Sequence, residues 1–356
     1  MVMRKQSCGM ERRCITGVPE LVRSLPSEER ALFDRMFRVT RRSGRLILPG
    51  GMEKGRRIIS HAPQGWQQIV RITNLVTGES TLFNEERARR PFETRSDAGV
   101  RASIEETRGD AFCHPEESTP LDLFGRVRGR HALTASNMAK YDHLHGVIIF
   151  DEHDPLVWEE GRIEDYLNVG MGWFMKAREQ DPEARYPLFL WNCLWRAGAS
   201  IVHGHAQVLL SVEPYSAVES LEKVRSSYNM KFGHEYETDL IDAHRALGLA
   251  MKRKNVEILA YLTPVKEKEA MILSRDYSSL AGAIAYVLHA YRDLGVQSFN
   301  LAILMPPLGE EGIFTVRLVD RGEPGIRSSD IGAMELYART SVVAGDPFRL
   351  MEALKV

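Results

Sequence analysis

The stretch WNCLWRAGASIVHGHAQVLLS, residues 191–211, decides the fold, because it is an apolar run with a pair of histidines at its centre. Successive side chains of a β-strand alternate between faces, so His203, His205 and Gln207 are expected to share one face. The opposite face then carries only small or apolar side chains, which suits packing under a helix. A single buried histidine would indicate an ordinary core residue. Because buried polar groups are costly unless paired, a row of three predicts a functional site.

The composition is that of a globular protein. The chain has 356 residues, 44% of them hydrophobic and 27% charged, enough for about two domains. A net charge of −1 gives no reason to expect nucleic acid or an anionic membrane as a partner. No apolar run approaches the ~20 residues of a membrane span, and the start of the chain lacks the apolar core of a signal peptide. Four scattered cysteines predict no disulfide framework, so a cytoplasmic location is expected.

The first part of the chain is interpreted as an extension followed by a hairpin. A helix is expected from Ser27, and a short strand is expected at 46–48. From residue 67 the pattern is typical of strands, with candidates at 68–72 and 80–83 on either side of a Thr-Gly turn.

Two later segments share one order of elements, which is strand, helix, strand, strand. The first copy runs from residue 146 to 211 and ends with the histidine strand, and the second runs from 270 to 319. The repeated order predicts an internal duplication with one active copy, since the second copy lacks the histidine row. The predicted domains are an N-terminal extension at 1–65, a first domain with the histidine strand at 66–225 and a second domain at 226–356.

The sequence resembles the galactose-1-phosphate uridylyltransferase family, a branch of the histidine-triad superfamily. The family's signature, Asn-x5-Gly-x-Ser-x2-His-Pro-His-x-Gln, is present without a gap, with Gly204 in place of the proline. The residues that carry this match are Asn192, Gly198, Ser200, His203, His205 and Gln207. The upstream Arg-x-x-Arg-Pro of the family also matches, as Arg87, Arg90 and Pro91, and Asn137 stands where the family has a nucleotide-binding asparagine.

The resemblance covers about residues 66–356 and implies a fold. It implies an α+β protein of two histidine-triad-like halves, each an antiparallel sheet with helices packed on one side, plus the N-terminal extension. This expectation agrees with the internal duplication. The resemblance also implies a homodimer, and no stretch of the sequence independently indicates an interface.

The resemblance further implies an activity, the ping-pong transfer of a nucleoside monophosphate from a nucleotide sugar to a sugar 1-phosphate, with no organic cofactor. His205 is the implied nucleophile, and an imidazole with a pKa near 6.5 is mostly neutral at pH 7. Gln207 is implied to donate to a phosphoryl oxygen, and since an amide cannot act as an acid, it favours a transferase or phosphorylase over a hydrolase. The implied substrate-binding residues are Arg87, Arg90, Asn137, Asn192, Gly198, Ser200 and Glu335.

A structural zinc site is a further feature of the family. Its ligand positions correspond here to Cys113, Glu116, His153 and His203, so Glu116 stands where the family has a second cysteine. Thiolate, carboxylate and imidazole are all competent zinc ligands. The alternative is that Cys113 is a small buried apolar residue and that His153 caps a turn.

Sugar recognition is where this chain departs most from the family. Glu335 matches a carboxylate that binds sugar hydroxyls, but Met334 and Ser341 replace an aromatic residue and a glutamine. Two alternatives therefore stay open beside the transferase. One is a phosphorylase of a nucleotide sugar or a dinucleoside polyphosphate, with inorganic phosphate as acceptor, and the other is a non-catalytic nucleotide-binding module. No nucleic acid or membrane partner is expected.

Overall fold

The computed structural model describes residues 13–47, 49, 65–84, 86–87, 97–326 and 329–356, with the backbone alone at 97–98. The strands are β1 (Phe37–Arg45), β2 (Trp66–Asn74), β3 (Ser80–Phe83), β4 (Ala132–Ser136), β5 (Leu144–Phe150), β6 (Tyr186–Cys193), β7 (His205–Ser211), β8 (Ala250–Arg253), β9 (Val256–Ala260), β10 (Glu267–Ser274), β11 (Phe299–Leu304), β12 (Phe314–Asp320) and β13 (Thr340–Val343). The α-helices are α1 (Val18–Ser24), α2 (Ser27–Met36), α3 (Asp97–Glu106), α4 (Pro115–Ser118), α5 (Glu160–Gln180), α6 (Ser216–Phe232), α7 (Tyr236–Leu247), α8 (Leu280–Asp293), α9 (Ala333–Leu336) and α10 (Pro347–Leu354).

Nine strands form one antiparallel sheet in the order β4-β5-β7-β6-β11-β12-β10-β9-β8. The order β4-β5-β7-β6 recurs as β9-β10-β12-β11, so the predicted duplication is present in the topology. The halves meet where β6 pairs with β11, and Leu190 lies opposite Ala302. On their other sides these two residues pair with Gln207 and Arg317, so an approximate twofold axis passes through this pair. The predicted two-half α+β fold is confirmed, with the two half-sheets joined edge to edge.

Helices cover one face of this sheet. The helices α5 and α8 pack against it and against each other. Their apolar residues recur at helical spacing, as the sequence predicted, and Phe174 of α5 and Ile284 of α8 are buried. Ala206 and Val208 of β7 are fully buried on this helix side. Alternation along β7 therefore turns His205 and Gln207 toward the opposite face.

A second sheet has the order β1-β2-β3-β13, in which only the β3–β13 pair is parallel. The prediction of a strand at 46–48 is wrong, because β1 already ends at Arg45. Ile47 is 86% exposed, and residue 48 lies outside the described residues. Because β1 is an edge strand that is mostly exposed, its arginine-rich sequence lacks the apolar signal of a core strand.

The remaining predictions about organisation have mixed outcomes. Among the described residues, no helix has both the length and the apolarity to cross a membrane. Cys113 and Cys193 are free thiols, whereas Cys14 takes part in a disulfide that the scattered cysteines did not predict. The domain boundaries stay predictions, and α6 spans the one proposed at residue 225.

Candidate functional site

His205 begins β7, and its ring is held in one tautomer. His203 precedes the strand, so the row of three predicted on one strand face is reduced to His205 and Gln207. The Nδ1–H of His205 donates to the carbonyl oxygen of His203 at 2.8 Å, so the lone pair lies on Nε2. Burial lowers the pKa of His205, which keeps the ring neutral at pH 7. A neutral imidazole with a lone pair on Nε2 is a competent nucleophile.

Gln207 is in contact with a third histidine that sequence reasoning missed. The side-chain oxygen Oε1 of Gln207 lies 3.0 Å from Nε2 of His145, which is fully buried on the neighbouring strand β5. Nδ1 of His145 accepts a hydrogen bond from the backbone N–H of Tyr141 at 3.0 Å. The available signal was the alternation His143-Leu144-His145 at the start of an apolar strand.

A four-residue cluster lies next to His205. Asp110, Cys113, His153 and His203 each place one potential ligand atom within 4.8 Å of the others. The two Nδ1 atoms of the histidines are 3.1 Å apart, and Sγ of Cys113 is 3.3 Å from the first and 3.5 Å from the second. A tetrahedral zinc has edges of about 3.3 Å between nitrogens and about 3.6 Å between sulfur and nitrogen. The spacing of the cluster therefore fits zinc.

The protonation of the cluster supports the same conclusion. Nε2–H of His153 donates to Ile104 O and Nε2–H of His203 to Phe150 O, both at 2.8 Å, so both Nδ1 lone pairs face each other. Two lone pairs that face each other at this distance repel, and a metal cation bound by both nitrogens would relieve that repulsion. Oδ2 of Asp110 is buried without a hydrogen-bond partner, while Oδ1 accepts two backbone N–H groups. A carboxylate oxygen in this state is available as the fourth ligand.

Glu116, the fourth ligand expected from the resemblance, is not in this cluster. Its carboxylate forms an ion pair with Arg128 and lies 3.6 Å from Arg126, and its side chain is 52% exposed. Asp110, three residues before Cys113, lies in the cluster instead.

Gly204 has a packing reason to replace the family's proline. A Cβ at this position would lie 2.7 Å from the Phe150 ring and 3.1 Å from the carbonyl oxygen of Glu152. Its N–H donates to His153 O at 3.2 Å, a hydrogen bond that proline could not make. The close approach holds β7 against the turn that supplies His153.

The implied nucleotide-binding residues fall into two groups. Asn137 lies beside the site, where its Nδ2 is 3.2 Å from Nε2 of His145 and its Oδ1 accepts from Ala139 N. Gly198, in the left-handed region with φ of 95°, and Ser200 are exposed in the loop that leads to His203.

Asn192 lies on the joint between the halves. Its side-chain oxygen accepts from Asn300 Nδ2 at 2.6 Å, across the β6–β11 pair. This contact engages the side-chain oxygen of Asn192 in joining the two halves.

The other predicted substrate-binding residues are Arg87, Arg90 and Glu335. The backbone N–H of Arg87 donates to Asn84 O, and Arg90 and Pro91 lie outside the described residues. Glu335 accepts from Gly332 N at 2.9 Å and lies 3.5 Å from Nζ of Lys266, so it caps its own short helix, α9.

Solved structures of known enzymes share this architecture. An ADP-glucose phosphorylase from Arabidopsis thaliana, with bound ADP-glucose, matches with a TM-score of 0.58 and 16% identity, over 79% of this chain and 96% of that chain. A uridylyltransferase matches with a TM-score of 0.57 and 16% identity, over 81% of this chain and 98% of that chain. This chain has the uridylyltransferase fold. The resemblance stated from the sequence is thereby confirmed for the fold.

A mutant uridylyltransferase gives a similar result, with a TM-score of 0.54 and 16% identity over 64% of this chain and 90% of that chain. No protein-family model matches the sequence, and a search of the curated proteins finds no match. The likeness therefore concerns the fold, and the activity of this chain has to be argued from its own residues.

Proposed function

We propose that this protein is a nucleotidyltransferase that acts on nucleotide sugars through a covalent nucleotidyl-His205 intermediate. The observation that carries the proposal is the tautomer of His205. Its Nδ1–H donates to the carbonyl of His203, and its Nε2 makes no hydrogen bond to the residues that the structure describes. A non-catalytic binding module would not need a nucleophile held in this state.

The first half-reaction is a displacement at the α-phosphorus of the donor. The lone pair on Nε2 of His205 forms the N–P bond, and the bond from phosphorus to the bridging oxygen breaks, so sugar 1-phosphate departs with that electron pair. The leaving group needs no proton near neutral pH, since the second pKa of a phosphate monoester is about 6. Gln207, which cannot act as an acid, is therefore sufficient beside His205.

Gln207 stabilises the charge that develops on the phosphoryl group. Its Oε1 faces His145, which leaves the amide N–H groups as donors to a non-bridging oxygen. One correctly placed donor of this kind contributes on the order of 10²–10³ in rate.

The second half-reaction reverses the first with an acceptor phosphate. An oxygen of the acceptor forms the new P–O bond, the N–P bond breaks, and its electron pair returns to Nε2 of His205. The neutral ring is restored without net proton transfer, so the cycle needs no external oxidant or cofactor.

Zinc in the Asp110, Cys113, His153 and His203 cluster is proposed as a structural ion. When bound, it supplies charge that holds the two facing imidazoles and the thiolate together. His203 belongs both to this cluster and to the hydrogen bond that sets the tautomer of His205. The cluster therefore positions the nucleophile without taking part in the displacement.

The acceptor is proposed to be a sugar 1-phosphate, and a phosphorylase with inorganic phosphate as acceptor is the second candidate. One observation favours the second candidate: Glu335, the carboxylate expected to bind a sugar hydroxyl, caps α9 and lies beside Lys266. A phosphorylase would not use a carboxylate for an acceptor sugar.

The test is the intact mass of the protein after separate incubation with UDP-glucose, ADP-glucose, GDP-sugars and diadenosine polyphosphates. We expect a gain of one nucleoside monophosphate with one donor, and its base identifies the nucleotide. The His205→Ala variant should show no gain. Adding a sugar 1-phosphate or inorganic phosphate to the isolated adduct then distinguishes the two acceptors, because only the true acceptor removes the nucleotide.

A matched control is Gln207→Leu, which keeps the nucleophile and should form the same adduct more slowly. An adduct of undiminished amount in His205→Ala would show that another residue is the nucleophile. No adduct with any donor in the wild-type protein would contradict the proposed mechanism.

A further inference from the structure

We infer that His145 is a positioning residue that fixes the orientation of the Gln207 amide and thereby aims its N–H groups at the transferred phosphoryl group. The inference rests on the proposed function, since it assigns the origin of the donor on which that function relies. His145 is fully buried and makes its contact to Gln207 across the β5–β7 pair, 62 residues away in sequence.

The argument begins with the tautomer of His145. The backbone N–H of Tyr141 donates to Nδ1 of His145 at 3.0 Å, and a backbone N–H can only donate. Nδ1 therefore carries the lone pair and Nε2 carries the proton. Burial lowers the pKa of His145, which keeps this neutral form at pH 7.

The tautomer then decides which end of the Gln207 amide faces the ring. Nε2–H of His145 is a donor, so the group 3.0 Å away must be an acceptor, the oxygen Oε1. Asn137 Nδ2, 3.2 Å from the same nitrogen, is itself a donor because Asn137 Oδ1 accepts from Ala139 N, so it does not compete. A reversed amide would leave Nε2–H of His145 without the acceptor that Oε1 provides and would present an oxygen to the negatively charged phosphoryl group.

The second half of the molecule has a side-chain contact at the two sheet positions that correspond to His145 and Gln207. The approximate twofold axis relates Gln207 to Arg317. Gln207 pairs with Val147 of β5, and Arg317 pairs with Met271 of β10. His145 and Glu269 each lie two residues before these partners, so they occupy corresponding positions. Nε of Arg317 lies 2.5 Å from Oε1 of Glu269, which is also fully buried. The fold thus brings the side chains at these two positions together in each half, as a neutral pair of His145 and Gln207 in the first half and an ion pair of Glu269 and Arg317 in the second.

The experiment measures single-turnover formation of the nucleotidyl-His205 adduct, together with the donor dissociation constant, in four variants. His145→Phe keeps a flat ring without a donor, and His145→Gln keeps an amide N–H that can reach the same oxygen. Gln207→Leu removes the donor to phosphate, and the double variant His145→Phe/Gln207→Leu tests whether one residue acts through the other. His289→Phe, at an exposed histidine of α8, is the control for the same substitution away from the site.

We expect His145→Phe to slow adduct formation by about 10- to 100-fold, a large part of the 10²–10³ that one such donor contributes. The donor dissociation constant should change by less than about threefold, because the effect concerns the transition state. The double variant should be no slower than Gln207→Leu, and His145→Gln should recover most of the rate. A wild-type rate in His145→Phe, or effects that multiply in the double variant, would overturn the positioning role.

An independent measurement covers the case in which the proposed function itself fails. The ¹⁵N shifts of a histidine-labelled sample report which ring nitrogen of His145 carries the proton. A proton on Nε2 supports the positioning step without reference to turnover, and a proton on Nδ1 overturns it. Absence of an adduct in the wild-type protein, with the proton on Nε2, would instead contradict the proposed function alone.

Discussion

His203 joins two features that the sequence presented separately. Its ring contributes Nδ1 to the metal-type cluster, and its carbonyl oxygen accepts the Nδ1–H of His205. One residue therefore connects the geometry of the cluster to the tautomer of His205. Substitutions in the cluster are therefore expected to change the position of His203 and, with it, the hydrogen bond that orients the ring of His205.

The first prediction concerns the ligands of the cluster. We expect the purified protein to contain about one zinc per chain, and Asp110→Ala or Cys113→Ser to lose most of it, because each removes one of four ligands. The melting temperature should fall by about 5 °C or more. Metal content by mass spectrometry and calorimetric melting would measure both.

Glu116→Gln is the matched control for this prediction, since Glu116 is paired with Arg128 outside the cluster. It should retain its zinc. Loss of zinc in Glu116→Gln with full zinc in Asp110→Ala would restore the ligand set implied by the sequence resemblance, and no zinc in any sample would leave the cluster as a set of packed side chains.

The second prediction concerns Gly204. Replacement by alanine should destabilise the protein by about 1–3 kcal/mol, because the new Cβ would overlap the buried Phe150 ring. Gly161→Ala, within α5 and with no atom within 4 Å of the added Cβ, should instead be neutral or stabilising by about 0.5–1 kcal/mol. Thermal unfolding of the two variants compares them directly, and equal stabilities would contradict the steric account.

At the scale of elements, α7 docks through a buried histidine. Nδ1–H of His244 donates to Leu240 O, its Nε2 accepts from Leu262 N, and its ring stacks on Tyr261 at 5.6 Å between centroids. Both ring nitrogens are thus used in the neutral form. Burial lowers the pKa of His244 to about 4.

The third prediction follows from this lowered pKa. In the unfolded chain the pKa is near 6.5, so the unfolded state binds more protons, and stability is full above pH 6.5 and is lost as pH falls toward 4. The loss between pH 7 and pH 4 should be on the order of 3 kcal/mol from this residue alone. His244→Gln should be less stable at pH 7 but should show a smaller decrease on acidification.

The control for the pH experiment is His289→Gln, because His289 is exposed and its Nε2 lies 3.1 Å from the carbonyl oxygen of Trp158 rather than beside a carboxylate. Its melting temperature should follow the wild-type pH profile between pH 7 and pH 4. If His244→Gln and the wild-type protein lose equal stability over this range, His244 is not the residue that carries the acid sensitivity.

At the scale of the whole molecule, the second half contains a buried ion network at the positions that correspond to His145 and Gln207 of the first half. Arg317, the counterpart of Gln207, contacts Glu269 at 2.5 Å and Glu79 at 2.6 Å. Glu79 belongs to the turn between β2 and β3, and it also accepts from the hydroxyl of Tyr261. These contacts hold the four-stranded sheet against the nine-stranded one.

The fourth prediction tests this network. Arg317→Met should destabilise the protein by about 3–5 kcal/mol, because it leaves the fully buried Glu269 charge without its partner. The double variant Arg317→Met/Glu269→Gln should recover much of the loss, since the buried charge is then removed. Chemical unfolding measures the differences, and Arg23→Met, at an exposed pair, should change stability by less than about 0.5 kcal/mol.

Several features followed from local sequence alone. Helical periodicity identified α5 and α8, and the repeated order of elements identified the duplication. These predictions succeeded because periodicity and spacing are properties of neighbouring residues along the chain. The Arg-rich edge strand β1 was not predicted at its observed position, because it buries too few side chains to have a periodic apolar pattern.

The tertiary structure alone decided which distant side chains meet. His145 reaches Gln207 only because β5 and β7 pair in one register, and a shift of one residue would turn it to the helix side. Asp110 replaces Glu116 in the cluster because of how the segment before α4 folds back toward His153 and His203. The joint between β6 and β11 likewise depends on pairing between strands more than one hundred residues apart, which local spacing does not encode.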